Sequence, residues 1–478
     1  MWCEMCFLLI VIRTSFELQM EKNKNMEESR GSKFICLLLG VCSTAVRSSL
    51  AANEDLKVIF QWSQVEFDYP SESIRQADIN SGNFMPGRPA PIDVDIHYPS
   101  DNGATKVFVA IPRFQPGVPV TLGTVSNKVR NGNPIISPYP SWDWHTEPSK
   151  CKTDRIVSVF RVMIDECDRL WVLDTGRLLE EIKCPPQILA FDLKTNRLLH
   201  RYEIPSSQLE SRSTLVTPVV EIRDRRNQCH NTFVYSADCQ TYSIIVYDLQ
   251  RQTSWRVSDK TMYPYPSYGT YNIKGDSFDL MDGILGMSLS PASLGGERKL
   301  FYHAMSSATE NWVYTSDLRN ETRFKQDPAS SPGIFTTYRK NRGTQSAAEA
   351  FNKDGILFFG LMSDVKIACF NARGDYGDRK STDIVADNPV TLQFASGMKV
   401  IKNRRGVEEL FVLTSRFQKV AAGTLNLSEI NFRIVTGEVD KLLAGKSCKV
   451  NSQQNSIVYP QAGDSGRYSS KPQGNSYA

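Results

Sequence analysis

The side chains able to do chemistry in this chain are few and widely spaced. Its five histidines, His97, His145, His200, His230 and His303, include no pair at i, i+4, and neither HExxH nor HxE with a following CxxC occurs. The local spacing of a zinc site is therefore missing, and each histidine reads as a surface or hydrogen-bonded side chain. No GxSxG elbow, Walker loop or dinucleotide fingerprint is present either, so the usual hydrolase and nucleotide chemistries find no support. The expectation is no metal and no cofactor. What remains is acids and rings. In DECDRLWVLD, Asp165 and Asp168 read as hairpin-turn residues and Asp174 ends a strand beside a loop mouth. TMYPYPSYGTY, residues 261–271, could stack on a flat ligand, and it equally suits a proline-anchored loop packed on its neighbour.

The cysteines suggest a compartment. Cys3, Cys6, Cys36 and Cys42 lie in a segment expected to be removed, leaving Cys151, Cys167, Cys184, Cys229, Cys239, Cys369 and Cys448 with no CxxC among them. Disulfides in an oxidising compartment fit this spacing better than a metal cluster. Seven is odd, so one thiol is free or bonded to another chain. The apolar run FICLLLGVCSTAV at 34–46 follows Arg30 and Lys33 and precedes the small residues Ser49, Ala51 and Ala52. That is the layout of a secretory signal, and the run is shorter than the roughly 20 residues of a membrane span. Translation from Met1 makes the signal long, whereas Met26 makes it ordinary. We expect an extension and signal at 1–52, a secreted, extracellular domain at 53–448 with no membrane span, and a flexible polar tail at 449–478. The sequons at Asn320 and Asn426 are compatible with glycosylation.

The elements that must position these groups repeat. VFVAIPR, LWVLDTG, FVYSADC, LFYHAMS, LFFGLMS and LFVLTSR begin at Val107, Leu170, Phe233, Leu300, Leu357 and Leu410, at intervals of 63, 63, 67, 57 and 53 residues. Each follows a strand-like segment and a polar turn, as SVFRVMI precedes DECDR, which reads as an antiparallel hairpin. A third strand follows in most units (ILAFDL, SIIVYDL, WVYTSDL, KIACFN), and a fourth in some (RLLHRYEI, TSWRVS, NFRIVT). Four strands repeated six times predict an all-β fold, a six-bladed β-propeller of four-stranded antiparallel blades. Inner strands are expected near 92–96, 159–164, 219–222, 284–289, 347–351 and 398–401. No sustained helical stripe competes with this pattern. A net charge of only +4 (56 Lys+Arg against 52 Asp+Glu) and 41% hydrophobic residues argue against both a disordered chain and a nucleic-acid binder.

In a propeller, the loop after the second strand of a blade and the loop entering the next inner strand emerge on one face around the channel, where ligands tend to sit. The first loop type carries Asp174, Thr175, Asp238, Ser306 and Asp364; the second carries Asp282, Thr344, Gln345, Phe394 and Ser396. Asp282 immediately precedes GILGMSLS, so it should reach the axis as ammonium partner or general base. Thr344 and Gln345 would serve as hydrogen-bond partners and Phe394 as a stacking face. For any single one of these residues, a turn or channel-water role is the competing reading.

DECDRLWVLDTG, CPPQILAFDL, DGILGMSLSP, IFQWSQVEFDYPS, PYPSW and LQFASGMKV together resemble the insect Yellow and major royal jelly protein family over roughly 56–448. The resemblance implies a secreted six-bladed propeller, an acid at position 282, and a non-cysteine residue where this chain has Cys239, which makes Cys239 the odd thiol. It also implies a role in insect melanin and catecholamine pigmentation, including conversion of dopachrome, a tautomerisation without a redox cofactor. That reaction needs one placed acid/base group and donors for the quinone oxygens. The alternative it implies is a non-catalytic extracellular binder of small aromatic biogenic amines in the central channel; a structural or nutritive propeller without a tight ligand is a third reading.

N-terminal sequencing of the secreted protein should begin between Ala45 and Asn53, and a start at Met1 or Met26 contradicts the signal. Peptide mapping without reduction should recover Cys239 as a free thiol; finding it in an intrachain disulfide overturns its assignment.

Overall fold

The computed structural model describes residues 56–101 and 103–449. The expected signal and the polar tail, apart from Lys449, lie outside the described residues. Six sheets follow one another along the chain. Blade 1 runs from its inner strand Asp93–His97 through Lys106–Ala110 and Leu122–Arg130 to Asn133–Pro138, and adds a parallel fifth strand, Glu66–Phe67. The inner strands of blades 2 to 6 are Val159–Ile164, Leu215–Ile222, Ile284–Leu289, Glu349–Phe351 and Ala395–Lys402. They touch in ring order, the last against the first, so the expected architecture and inner strands are borne out.

The repeated runs are second strands, and their composition follows from where they sit. A blade is sandwiched between two neighbours, so its middle strands lose both faces to apolar partners and need no polar alternation. Arg169–Asp174 and Ile356–Leu361 are buried at every position, while the outermost strand of blade 2, Leu198–Glu203, has no fully buried residue. Each of the six blade interfaces has its own apolar cluster. Phe108 of blade 1, edge-on to Tyr139 at 4.9 Å, packs with Val162 and Leu170 of blade 2, for example. Each such side chain stabilises the fold by roughly 1.5–3 kcal/mol.

Three local expectations are corrected. NFRIVT forms the third strand of blade 6, Phe432–Glu438; the fourth is Lys57–Trp62, from the other end of the chain. A ring needs its last sheet closed onto its first, and pairing the two ends of the fold in one blade does this. Second, WVYTSDL is a strand only at Asn311–Tyr314; Thr315–Leu318 is helical, and the fourth strand of blade 4 shrinks to Thr336–Thr337. Third, a ten-residue helix, Glu72–Ser81, lies beside blade 1. Ser71 caps it by accepting from the amide of Ile74, Gly82 ends it at φ 76°, and Arg75 pairs with Glu66 and Glu72. It buries no residue fully, so it lacks the apolar stripe that would announce it.

One side chain crosses the axis. Arg161, on the inner strand of blade 2, is buried, and Nη1 donates to Thr217 Oγ1 (2.9 Å) in blade 3 and to the carbonyl of Leu285 in blade 4. Nη2 donates to the carbonyls of Ala347 (2.8 Å), entering blade 5, and Ser396 (2.7 Å) in blade 6. Burial lowers its proton affinity, and the carboxylate of Asp93, in blade 1, opposes this. Asp93 also accepts from the amide of Val162 (3.0 Å) and pairs with Lys399 (3.0 Å), and Asp95 accepts from Ile164 (2.8 Å). These bonds tie blade 1 to blades 2 and 6 at the channel wall.

Disulfides join Cys151–Cys184, Cys167–Cys229 and Cys369–Cys448, and Cys239 is free and buried. Arg161→Met should lower unfolding stability by on the order of 3 kcal/mol in urea titration, because it strands buried carbonyls from several blades. Arg161→Lys should recover only part of that loss, since an ammonium cannot span the channel as a guanidinium fork does.

Candidate functional site

Arg161 borders two cavities on the channel. The larger, about 460 Å³, opens among the loops that the topology argument singled out. Blade 2 contributes Arg177, Leu179 and Glu180 from a small hairpin, Arg177–Leu178 paired with Glu181–Ile182. Arg212, Cys239 and Gln240 enter from blade 3, and Leu280, Asp282 and Leu285 from the approach to blade 4 and its inner strand. Ring faces come from Phe114, Phe160, Phe394 and Phe417; Phe394 and Phe417 lie 4.7 Å apart, and Phe114 and Phe417 6.0 Å apart.

Asp282 stands on this wall. Its amide donates to Ser306 Oγ (3.0 Å), and its carboxylate accepts from Gln240 Nε2. Arg212 donates to Gln240 Oε1 (2.6 Å), which fixes the amide so that its NH₂ group faces Asp282. Burial pushes the carboxyl up to about 7, against the opposing pull of Gln240 and Arg212. At neutral pH such a group both takes and returns a proton. Cys239, also on the wall, is pushed the other way from reactivity: burial first, then the carboxyls of Asp282 and Asp238, raise the thiol well above its usual range, so it stays a neutral SH.

Of the residues singled out from the sequence, the structure brings Asp282, Phe394 and Ser396 together on the cavity wall. Asp174 and Asp238 are fully buried and committed to donors within the scaffold. Asp174 accepts from the amides of Val157 (2.9 Å) and Ser158 (2.8 Å) and from Gln187 Nε2 (2.9 Å). Its counterpart one blade on, Asp238, accepts from Thr214 N (2.8 Å), from the Thr241 hydroxyl and from Arg256. Ser306 lies behind Asp282, hydrogen-bonded with Tyr271 OH (2.8 Å) and donating to Leu280 O (2.8 Å). Gln345 donates to the carbonyls of Tyr268 and Thr270 (2.9 Å each), and Thr344 Oγ1 accepts from Ser363 N (3.2 Å), so both hold loops. Thr175 is fully buried, while Asp364 sits exposed in a turn. Asn320 and Asn426 are exposed.

The 261–271 loop divides. Tyr271 is buried and stacks on Phe278 at 4.8 Å, while Tyr263 and Tyr265 remain exposed. Sequence reasoning missed Arg161, Arg212 and Gln240. Nothing in their neighbourhoods marks them; only the packing of neighbouring blades places them with Asp282 on one cavity wall.

The family described as Major royal jelly protein matches residues 157–448. Major royal jelly protein 9 of Apis mellifera is 38% identical over 404 residues, covering 82% of this chain and 90% of that protein. Major royal jelly protein 8 of the same species is 32% identical, covering 87% of this chain and 98% of that protein. A Drosophila melanogaster protein named Dopaminechrome tautomerase is 28% identical, covering 88% of this chain and 91% of its own length. These matches run through the blades that carry DECDRLWVLDTG and CPPQILAFDL, and the chain belongs to the major royal jelly protein family.

Proposed function

We propose that this is a secreted protein of insect pigmentation chemistry that tautomerises a catechol-derived quinone of the dopachrome class in the 460 Å³ cavity. The observation that carries the reading is Asp282, a carboxyl with an affinity for protons near neutrality on an aromatic-lined wall. A tautomerisation moves one proton from carbon to oxygen with no change in electron count, so a single carboxyl that alternates between base and acid suffices. The Phe394 and Phe417 rings supply stacking surface for a flat ring. Arg212, through Gln240, fixes the orientation of the base and adds positive charge beside the oxygens on which negative charge develops. The relative named Dopaminechrome tautomerase supports the reaction class. The three disulfides suit an oxidising, extracellular compartment, and no helix among the described residues is long and apolar enough to cross a membrane.

The charge on the wall favours this over capture of an amine. The cavity lining holds four arginines, Arg113, Arg161, Arg177 and Arg212, against two acids, Glu180 and Asp282, a balance that repels an ammonium group and suits an electron-rich quinone oxygen.

Asp282→Asn should keep the fold and lower dopachrome turnover at least tenfold, about 1.4 kcal/mol. In the wild type, turnover should fall as pH drops through about 7, where Asp282 takes up its proton. Because the folded-state affinity is raised, Asp282 stabilises the fold most at low pH and loses that contribution as pH rises through about 7; Asp282→Asn should flatten this part of the stability profile. Full activity in Asp282→Asn removes the carboxyl from the mechanism. Dopamine or serotonin binding by calorimetry, without dopachrome turnover, replaces the enzyme reading with that of an amine binder.

A further inference from the structure

Away from the larger cavity, three titratable side chains meet in a fully buried position between blades 4 and 5. His303 comes from the second strand of blade 4, Lys299–Ala304; Glu310 from the turn that follows it; and Glu349 from the inner strand of blade 5. The side chains of all three have no exposed surface. His303 Nδ1 lies 3.0 Å from Glu310 Oε2 and 3.1 Å from Glu349 Oε2. A ligand atom from each residue lies within 4.8 Å of those of the other two.

The cluster is short of donors. Two carboxylates bring four oxygens, each able to accept more than one hydrogen bond. The neighbouring cation, Arg342, spends its fork on the carbonyls of Thr309 (2.9 Å) and Ser307 (3.0 Å), touching the cluster only at Glu310 Oε2 (3.3 Å). Glu310 Oε2 is also the atom that His303 bonds. The other three oxygens, Glu310 Oε1 and both of Glu349, are buried without a hydrogen-bond partner. The Glu349 approach to His303 fails as a hydrogen bond despite its length, so the imidazole does not serve both acids. Buried carboxylate oxygens left bare cost free energy that a cation recovers.

Separation fits as well as charge. Around an ion with ligand bonds of about 2.1 Å, neighbouring ligand atoms stand roughly 3.0–3.4 Å apart in octahedral or tetrahedral geometry. Each carboxylate already stands at about that spacing from the His303 nitrogen, and the three ligand atoms all lie within 4.8 Å of one another. One imidazole with two carboxylates is a borderline donor set, matched to Zn²⁺ or Mn²⁺ better than to Mg²⁺ or Ca²⁺, which prefer oxygen alone.

We propose that His303, Glu310 and Glu349 bind one divalent transition-metal ion of the Zn²⁺ or Mn²⁺ class, which staples blade 4 to blade 5. Two ligands belong to one blade and one to the next, so the ion bridges the interface between them. It lies apart from the 460 Å³ cavity and takes no part in the proton transfer at Asp282; Glu349 instead borders the smaller, 200 Å³ cavity on the other side of Arg161. Local spacing rules could not find this set, because its members stand at 303, 310 and 349.

The test is metal content. Full-length protein secreted from cells grown with both Zn²⁺ and Mn²⁺ should carry about one equivalent by mass spectrometry after gel filtration in chelator-free buffer. Stripping under mild denaturation with a chelator should lower the unfolding temperature, and adding back Zn²⁺ or Mn²⁺, but not Mg²⁺, should restore it. Glu349→Gln and His303→Gln should each reduce occupancy at least tenfold and lose the response to added metal. If either variant fails to fold, the wild-type measurements decide alone. Occupancy below a tenth in the wild type, with no thermal response to Zn²⁺ or Mn²⁺, overturns the proposal and leaves a cluster balanced by protons. Occupancy that survives intact in folded Glu349→Gln and His303→Gln also overturns it by placing the ion elsewhere.

Discussion

The guanidinium of Arg161 is the constraint around which the channel is organised. Inner strands of a propeller present an edge of backbone groups to the axis that no further strand can pair. Here the planar fork satisfies carbonyls at Leu285, Ala347 and Ser396 together with the Thr217 hydroxyl, so blades 3 to 6 are referenced to one atom group carried by blade 2. Asp93 then binds the inner strand of blade 2 and the Lys399 ammonium of blade 6. The positions of all six blades near the axis are coupled by these few charge-assisted bonds. The plug also borders both cavities, and the larger owes its positive character in part to the charge that holds the ring together.

The fate of the acids shows how a repeat can be put to different uses. Asp174 and Asp238 end the second strands of successive blades, and each turns its carboxylate onto the amides of the loop arriving from the blade before. Those amides, with Gln187 at Asp174 and Thr241 and Arg256 at Asp238, engage both oxygens of each carboxylate within the scaffold. Asp282 sits at the other kind of loop, one step before an inner strand, with its amide rather than its carboxylate anchored to the scaffold through Ser306. Its side chain is therefore free to meet Gln240 and the cavity. Ser306, Thr344 and Gln345 act a layer further out: they hold the 261–271 loop and its neighbours in place, and the cavity wall rests on that loop through Tyr271, Phe278 and Phe394.

The fold was legible because its signal is redundant. A middle strand buried on both faces must be apolar nearly throughout, and LWVLD, FVYSAD and LFFGL announce themselves at regular intervals for that reason. The outer strands, wet on one side and short, carried less information: Thr336–Thr337 is two residues long, and Lys57–Trp62 belongs to a blade whose other strands lie more than 300 residues away. The helix Glu72–Ser81 rests on caps and surface ion pairs rather than an apolar stripe, so periodicity alone passed over it.

The same contrast runs through the sites. By itself the sequence determined the number of blades, the strands that line the axis and the loop in which an acid would approach it, because hydrophobic patterning is a local property repeated six times. Only the tertiary structure decided which acids line the cavity and which are consumed by the scaffold, that Arg212 and Gln240 orient Asp282, and that His303, Glu310 and Glu349 share one buried point. Proton affinity and ligand geometry depend on distances of a few ångströms between residues from different blades, and those distances do not exist until the ring closes.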